Sequence, residues 1–328
     1  MKLFNKIKKY IVFLFLFFPQ ITYAVDSYTK YSSNPIIDLG PNSWDSVYAW
    51  QPSVISDGIN YKMYYSGFNG SKFQIGVAES NDGISWIKSI STPIISRLNI
   101  DNKDAHDPSV IFDDNSYQMW YVSSENGGSS NFLIQRAISS DGIVWENNPS
   151  AAVLSPSQSW DTNGLSSPFV LKNGTNYQMW YSSDSNGFWK IGYATSSDGI
   201  SWTPYVNNPV LTISNNNVDG PSILYDGNVY EMFFHGINGS ISYSTSNDGV
   251  SWTNPISTIL NPTEVYDSAG LTSINAIQLL NNNIYLYYSG RDSSGKFRIS
   301  LASNTLINQT PTATPSPYLT PTPMPTSI

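Results

Sequence analysis

The sequence predicts an all-β chain, a five-bladed β-propeller closed by an N-terminal strand, and three observations predict it. A turn of the form Ser-x-Asp-Gly-x-x-Trp recurs at Ser80–Trp86, Ser139–Trp145, Ser196–Trp202 and Ser246–Trp252. Its aspartates, at 82, 141, 198 and 248, are spaced 59, 57 and 50 residues apart, room for the four short strands of one blade. Second, each turn follows a short strand opened by proline and an aromatic strand of period two, as in Pro108–Phe112 and Tyr117–Tyr121. Third, a fifth copy at Ile299–Asn304 stops before any Asp-Gly turn, and its missing outer strand is found at the other end of the chain. Tyr28 precedes Pro35 by seven residues, as Trp86 precedes Pro93 and Trp202 precedes Pro209. A strand near Tyr28–Tyr31 is therefore expected to close the ring and cover two sheet edges.

The chain has 328 residues and is 40% hydrophobic, sufficient for a large core. Residues 1–24 combine a basic start, an apolar run over Ile11–Phe18 and a small residue at Ala24, the pattern of an export signal too short to span a bilayer. A secreted or cell-surface, monomeric protein is expected, with no transmembrane segment after signal removal. There is no cysteine, so neither disulfides nor thiolate metal sites can form. Residues 25–306 form the propeller, and 307–328 form a Thr/Pro-rich disordered tail or linker that favours extended polyproline conformation. The formal net charge of −8 repels a phosphate backbone, which argues against nucleic acid. With 10 Trp, 22 Tyr and 14 Phe but only 12% charged residues, stacking surfaces outnumber charges and point to carbohydrate.

In chain order, the inner strands begin at Gln51-Pro52, Asp107-Pro108, Ser167-Pro168, Gly220-Pro221 and roughly Ile274. Inner strands of a propeller line its channel, so Gln51, Asp107, Ser167 and Asp219 are expected at one mouth. The aromatic second strands, such as Tyr117–Tyr121 and Tyr177–Tyr181, are read as packing between blades. The Asp-Gly turns are read as structural hairpins at the outer rim. Asp45 and Asp161 each follow a tryptophan, Trp44 and Trp160, and Asp267 follows Tyr266. An aromatic beside an acid suits a sugar, the ring stacking on its face and the carboxylate taking hydroxyls. Repetition gives the same pairs a second reading, as braces for the loops that lead into the inner strands.

Asp107-Pro108-Ser109-Val110 followed by Tyr117-Gln118-Met119-Trp120-Tyr121 resembles the inner blades of glycoside hydrolase family 43, with kinship to family 32. A further set resembles family 130, the mannoside phosphorylases and hydrolases: Trp50-Gln51-Pro52, His106-Asp107-Pro108, Phe234-His235-Gly236, Tyr266-Asp267 and Arg291-Asp292. The resemblance to family 43 implies a carboxylate on each of the first three inner strands, whereas this chain carries Gln51, Asp107 and Ser166 or Ser167. The resemblance to family 130 implies that Asp107 is the principal acid, with His235 and Asp292 near the sugar or an attacking phosphate. Basic residues for a phosphate are few, Arg136, Lys190 and Arg291, which favours hydrolysis.

Glycoside hydrolysis needs one carboxylic acid for the leaving oxygen and a second carboxylate to activate water or attack carbon. Asp107, Asp219 and Asp267 are the candidate catalytic acids, and Trp50, Gln51, His106, Asp45, Trp160, Asp161, His235 and Asp292 the candidate substrate-binding residues. No cofactor is required, and no loop carries a calcium motif that would support a structural ion in the channel. The expected function is an exported, exo-acting glycoside hydrolase. The alternative is a non-catalytic propeller that binds carbohydrate or a surface partner, favoured by Gln51 and Ser167 where acids are expected and by only five Glu in the chain.

Overall fold

The computed structural model describes residues 27–307 apart from 41–42, 57–59, 89, 96–102, 126–127, 129, 185–186, 254–256 and 280. The export signal at 1–24 and all but the first residue of the 307–328 tail lie outside the described residues. Among the described residues the chain is all-β, with two short 3-10 turns and no helix long and apolar enough to cross a membrane. In order the strands are β1 (Thr29–Lys30), β2 (Tyr48–Ser56), β3 (Tyr61–Phe68), β4 (Phe73–Ser80), β5 (Asp104–Asp113), β6 (Ser116–Glu125), β7 (Ser130–Ser139), β8 (Glu146–Asn147), β9 (Leu165–Asn173) and β10 (Asn176–Asp184). They continue with β11 (Trp189–Ser196), β12 (Thr203–Pro204), β13 (Asp219–Tyr225), β14 (Tyr230–His235), β15 (Ile241–Ser246), β16 (Ser257–Leu260), β17 (Gly270–Gln278), β18 (Ile284–Arg291) and β19 (Phe297–Ser303).

Antiparallel pairing makes three four-stranded sheets, β5–β8, β9–β12 and β13–β16. The remaining strands form a seven-stranded sheet in which β17–β18–β19 and β2–β3–β4 meet at one parallel pair, Phe297 with Tyr48. β1 lies along β19, Thr29 opposite Ser303 and Lys30 opposite Ala302. The first strands β2, β5, β9, β13 and β17 each pack against the next, and β17 packs back against β2.

Hydrogen bonds cross between successive units in the same order. The N–H of Val110 donates to Ser53 Oγ at 3.0 Å, that of Val170 to Ser109 Oγ at 2.9 Å, that of Ala276 to Ser222 Oγ at 2.9 Å and that of Val54 to Asn275 Oδ1 at 2.9 Å. At the opposite end, the Asp-Gly turns are latched by the preceding unit. Tyr287 donates to Gly83 O, Tyr64 to Gly142 O, Trp120 to Gly199 O and Trp180 to Gly249 O. In all four turns the Asp carboxylate accepts two backbone N–H groups ahead of it, as Asp82 does from Ile84 and Ser85. Those bonds, together with the hydroxyl of a neighbouring Ser, hold Asp198 and Asp248 at about 2. Between the sheets the second-strand aromatics are fully buried, Tyr64, Tyr65, Trp120, Tyr121, Trp180, Tyr181, Phe233, Phe234, Tyr287 and Tyr288 among them. Such rings carry much of the packing energy of a chain that has no disulfide.

Candidate functional site

The first strands share an irregularity. Gln51, Asp107, Ser167, Gly220 and Ser273 all have positive φ, between 43° and 62°, and each sits at a bulge where the register with the second strand slips. A left-handed non-glycine residue costs on the order of 1–2 kcal/mol and persists only where its surroundings fix it. Here the fixing group is a serine at the end of the preceding second strand. Ser289 Oγ accepts from Gln51 N at 3.0 Å, Ser66 Oγ from Asp107 N at 2.8 Å, and Ser182 Oγ from Gly220 N at 2.9 Å.

These five residues correct the register expected from sequence. Gly220, not Asp219, is the equivalent of Gln51, Asp107 and Ser167, because it is the residue directly before the proline. Asp219 stands one position earlier, with Trp50, His106, Ser166 and Thr272. The last inner strand starts at Gly270 rather than near Ile274, and Ser273 is its left-handed residue.

Two units break the serine rule. Where the others have Ser66, Ser182 and Ser289, the second unit has Val122 and the fourth has His235. With no serine at 122, Ser167 N turns to Asp107 Oδ2 at 2.8 Å, and Ser166 Oγ and Ser167 Oγ approach the same oxygen at 2.6 and 3.2 Å. His106 Nδ1 lies 2.8 Å from Asp107 Oδ1, and its Nε2 lies 3.1 Å from Ser124 Oγ. The Asp107 side chain is 1% exposed. Burial pushes its carboxyl up, but His106, Ser166 and the Ser167 N–H outweigh burial and hold it below the usual range. Asp107 is thus an ionised, fully engaged carboxylate.

His235 stands opposite Asp219 in the β13–β14 ladder, and its Nδ1 is 2.5 Å from Asp219 Oδ1. Both side chains remain partly open, at 22% and 24%. Burial lowers the affinity of the imidazole for a proton, and the Asp219 carboxylate more than restores it, so its pKa is raised above 6.5. Nδ1 faces the carboxylate, and the outward nitrogen is Nε2. Asp219 fixes the ring and favours its protonated form.

Inside the ring of left-handed residues is a cavity of about 30 Å³, lined by Gln51, Asp107, Ser167, Phe169, Gly220 and Ser273 among others. That is the volume of roughly one water molecule. A hollow of that size is too small to enclose a sugar ring. A larger hollow, about 420 Å³, lies elsewhere, between Trp44, Asp45 and Lys88 on the flank of the first unit.

Around the mouth the two sides differ in character. Toward the third, fourth and fifth units stand Ser166, Asp219, His235, Thr272 and Ser273. Toward the first and its neighbours is a run of rings: Trp50 stacks on Phe297 at 5.6 Å and meets Phe73 at 6.0 Å, and Phe73 meets His106 at 5.1 Å. At the first edge the indole of Trp50 offers a flat stacking face, and the opposite edge offers hydrogen-bonding groups.

The structure brings Trp50, Gln51, His106, Asp107, Asp219 and His235 to the mouth. It does not bring Asp45, Trp160, Asp161 or Asp267 there. Asp45, Asp161 and Asp267 each lie six residues before a left-handed residue and are at most 1% exposed. Asp161 accepts the N–H groups of Ser157 and Gln158, and Asp267 those of Thr263 and Glu264. Asp45 takes Tyr65 Oη at 3.0 Å and Lys88 Nζ at 2.5 Å, while Lys30 from β1 reaches Asp267 at 2.5 Å. Trp160 packs on Tyr181, with ring centroids 5.6 Å apart. These residues brace loops. Asp292 closes the β18–β19 hairpin, accepting from Ser294, Lys296 and Arg298, which hold it at about 2.

Sequence reasoning missed the serine position after the aromatic pair of each second strand. Setting Tyr65-Ser66, Tyr121-Val122, Tyr181-Ser182, Phe234-His235 and Tyr288-Ser289 side by side would have marked Val122 and His235 as the exceptions. It also missed Tyr48, Phe68, Phe73, Phe132 and Phe297, rings near strand ends that contact one another, Trp50 or His106.

A family profile described as β-1,4-mannooligosaccharide phosphorylase, glycoside hydrolase 130, matches residues 128–323, more than half of the chain. The match includes Asp219 and His235 and begins after Asp107. The uncharacterized protein Rv1502 of Mycobacterium tuberculosis is 27% identical over 182 residues, 53% of this chain and 60% of its own length. The chain thus spans about three-fifths of the curated relatives it matches. Among solved structures, a glycoside hydrolase superposes with a TM-score of 0.71 at 18% identity, covering 86% of this chain and 94% of the other. A glycosyl hydrolase from Bacteroides ovatus does so at 0.65 and 17%, covering 85% and 94%. A third, from work on β-1,2-mannoside hydrolases within the GH130 family of mannoside phosphorylases, gives 0.64 and 15%, covering 85% and 94%. At such identities the superpositions speak for the fold.

Proposed function

Because this protein belongs to glycoside hydrolase family 130, a family of carbohydrate-active enzymes, we propose that it is an exported glycoside hydrolase acting on the ends of oligo- or polysaccharides at the mouth of a closed five-bladed propeller. The closed ring is supported by the cyclic order in which the first strands touch and by β1 lying on β19. The observation that carries the activity is the pair of exceptions to the repeat, His106–Asp107 and Asp219–His235, both at the mouth. Repeated residues serve the fold; the two places where the repeat is broken by titratable groups are where chemistry is expected.

In this reading the sugar stacks on Trp50 and presents its hydroxyls to the polar side of the mouth. The Asp219–His235 pair, partly open and with the carboxylate favouring the protonated imidazole, delivers a proton to the leaving oxygen as the glycosidic C–O bond breaks. Water adds to the anomeric carbon and gives up its proton to solvent or to a carboxylate. Asp107, ionised, stabilises the positive charge that develops on the sugar. Among the described residues basic side chains are sparse here, with Arg291 at the rim, which supports water rather than phosphate as the acceptor. Incubation with β-mannooligosaccharides, with and without phosphate, tests this: free sugar released equally in both, and reduced at least about 100-fold in D219N, is expected. Sugar phosphate formed only with phosphate would overturn the choice of acceptor.

One observation favours the second reading, a mouth that binds carbohydrate without cleaving it. Both oxygens of Asp107 are already occupied and its side chain is closed to solvent. Glycan binding that survives D219N, with no sugar released by the parent protein, would establish that reading.

A further inference from the structure

The rings at the mouth extend well past the reach of one sugar. Beyond Trp50, Tyr48 lies between Phe68 at 5.1 Å and Phe297 at 5.0 Å. Phe68 stacks on Phe73 at 4.3 Å across the base of the β3–β4 hairpin, and on the far side of His106 stands Phe132 at 6.0 Å. None of these rings is fully buried: Tyr48, Trp50, Phe68, Phe73, Phe132 and Phe297 are all partly exposed. Four are phenylalanines, with no polar tip to meet a hydroxyl.

Most polar groups described near them are committed, apart from the indole N–H of Trp50, which is buried without a partner. His106 uses both ring nitrogens on Asp107 and Ser124, and Asn69 Oδ1 accepts from its own hairpin at Ser71 and Lys72. Among the described residues a charge borders this sector at Arg291, exposed at the rim with its guanidinium 5.7 Å over Phe297. A sugar placed here would bury hydroxyls without partners, a loss of roughly 1–3 kcal/mol each. An uncharged apolar group loses nothing and gains about 25 cal/mol for each Å² it removes from water.

We propose that the sector from Phe132 through Phe73 and Trp50 to Phe297 is a subsite for an apolar aryl or alkyl group covalently attached to the sugar that occupies the mouth. The inference deepens the glycosidase reading and rests on it for the position of the sugar. The group has two chemical sources, an aglycone at the anomeric oxygen or an acyl ester on a sugar hydroxyl. Because Trp50 is both the platform for the sugar and a member of the ring cluster, the apolar group continues directly from the sugar. The cluster therefore sets specificity, favouring substituted glycosides over plain ones.

The test is calorimetric titration of the full chain with methyl β-mannoside, 2-naphthyl β-mannoside and methyl 6-O-cinnamoyl-β-mannoside. The naphthyl or the cinnamoyl compound is expected to bind roughly 10- to 100-fold more tightly than the methyl glycoside, and the tighter of the two identifies the source. F73S, and F297S should F73S melt early, is expected to erase that advantage while leaving the methyl glycoside unchanged. Equal affinity for all three, no binding of any, or an advantage that both variants retain would overturn the inference. Turnover is scored separately. Tight, Phe73-dependent binding without sugar release defeats the glycosidase reading and leaves the subsite standing, whereas release from all three with equal KM defeats the subsite and leaves the glycosidase.

Discussion

Asp107→Ala is expected to be among the most damaging single substitutions outside the aromatic core. The carboxylate accepts from His106 Nδ1, Ser166 Oγ, Ser167 N and Ser167 Oγ, all within 3.2 Å, and it is 1% exposed. Removing it leaves buried donors from two adjacent units unpaired, among them the N–H of a left-handed residue. Breaking a buried charged network of this kind costs on the order of 3–5 kcal/mol. Asp107→Asn keeps one oxygen for the Ser166 and Ser167 donors and offers its amide to His106, whose tautomer can change, so about 1–2 kcal/mol is expected. The linkage has a definite sign. Since the folded carboxyl titrates below its ordinary 3.8, its contribution is present above the unfolded pKa and lost as pH falls through the folded value. Urea denaturation at pH 7 and at pH 3 reads both effects. D107A should lose several kcal/mol at pH 7 and less at pH 3. A D107A loss under 1 kcal/mol at pH 7, or one that is the same at both pH values, would refute the assignment of Asp107 as an ionised hub.

Other outcomes follow from the same geometry. V122S restores the serine found in the first, third and fifth units, so V122S/D107A should recover about 1 kcal/mol of the D107A loss by giving Ser167 N a new acceptor, as read by the urea midpoint. K30M removes the ammonium that ties β1 to buried Asp267 and should lower the melting temperature by several degrees, corresponding to roughly 1–2 kcal/mol. Because His235 is raised above 6.5 by Asp219, the protonated pair persists below that range and is lost as pH rises through the folded value. Turnover should therefore fall on the alkaline side, and D219N should move that limb to lower pH. An alkaline limb that D219N leaves in place would assign the proton to another group.

How far the sequence reaches can be judged from particular residues. The Asp-Gly turns and the Tyr-x-Met-Trp-Tyr strands are legible because each repeated unit solves the same packing problem with the same local chemistry, and repetition makes such solutions visible. The order of sheets, and the pairing of β1 with β19, follow from one missing outer strand and one unpaired N-terminal segment. The site is less legible. Asp219 reads one residue out of register because Asp-Gly is also turn chemistry, when the proline that follows Gly220 marks the left-handed position. Asp45, Asp161 and Asp267 look like sugar-binding acids because an acid beside an aromatic has that meaning at a surface; their burial, which turns them into acceptors for their own loops, depends on tertiary packing. Asp107 stands out in the sequence as unlike its copies, but whether its carboxylate is free or saturated depends on Ser166 and Ser167, 59 and 60 residues later in the chain. The ring cluster is contributed by strands from three units, and no local pattern joins Phe73 to Phe297.

Cleavage of a glycosidic bond at the mouth by the Asp219–His235 pair is read most directly from a time course of reducing-end release from β-mannooligosaccharides near pH 6, comparing the parent protein with D219N and H235Q. Steady release of single sugars by the parent is expected, with a loss of at least about 100-fold in both variants, as when a general acid–base group is removed, and with both variants still melting as folded proteins. Release at the parental rate by either variant, or no release by the parent while it binds the same oligosaccharides, would overturn that role for the pair.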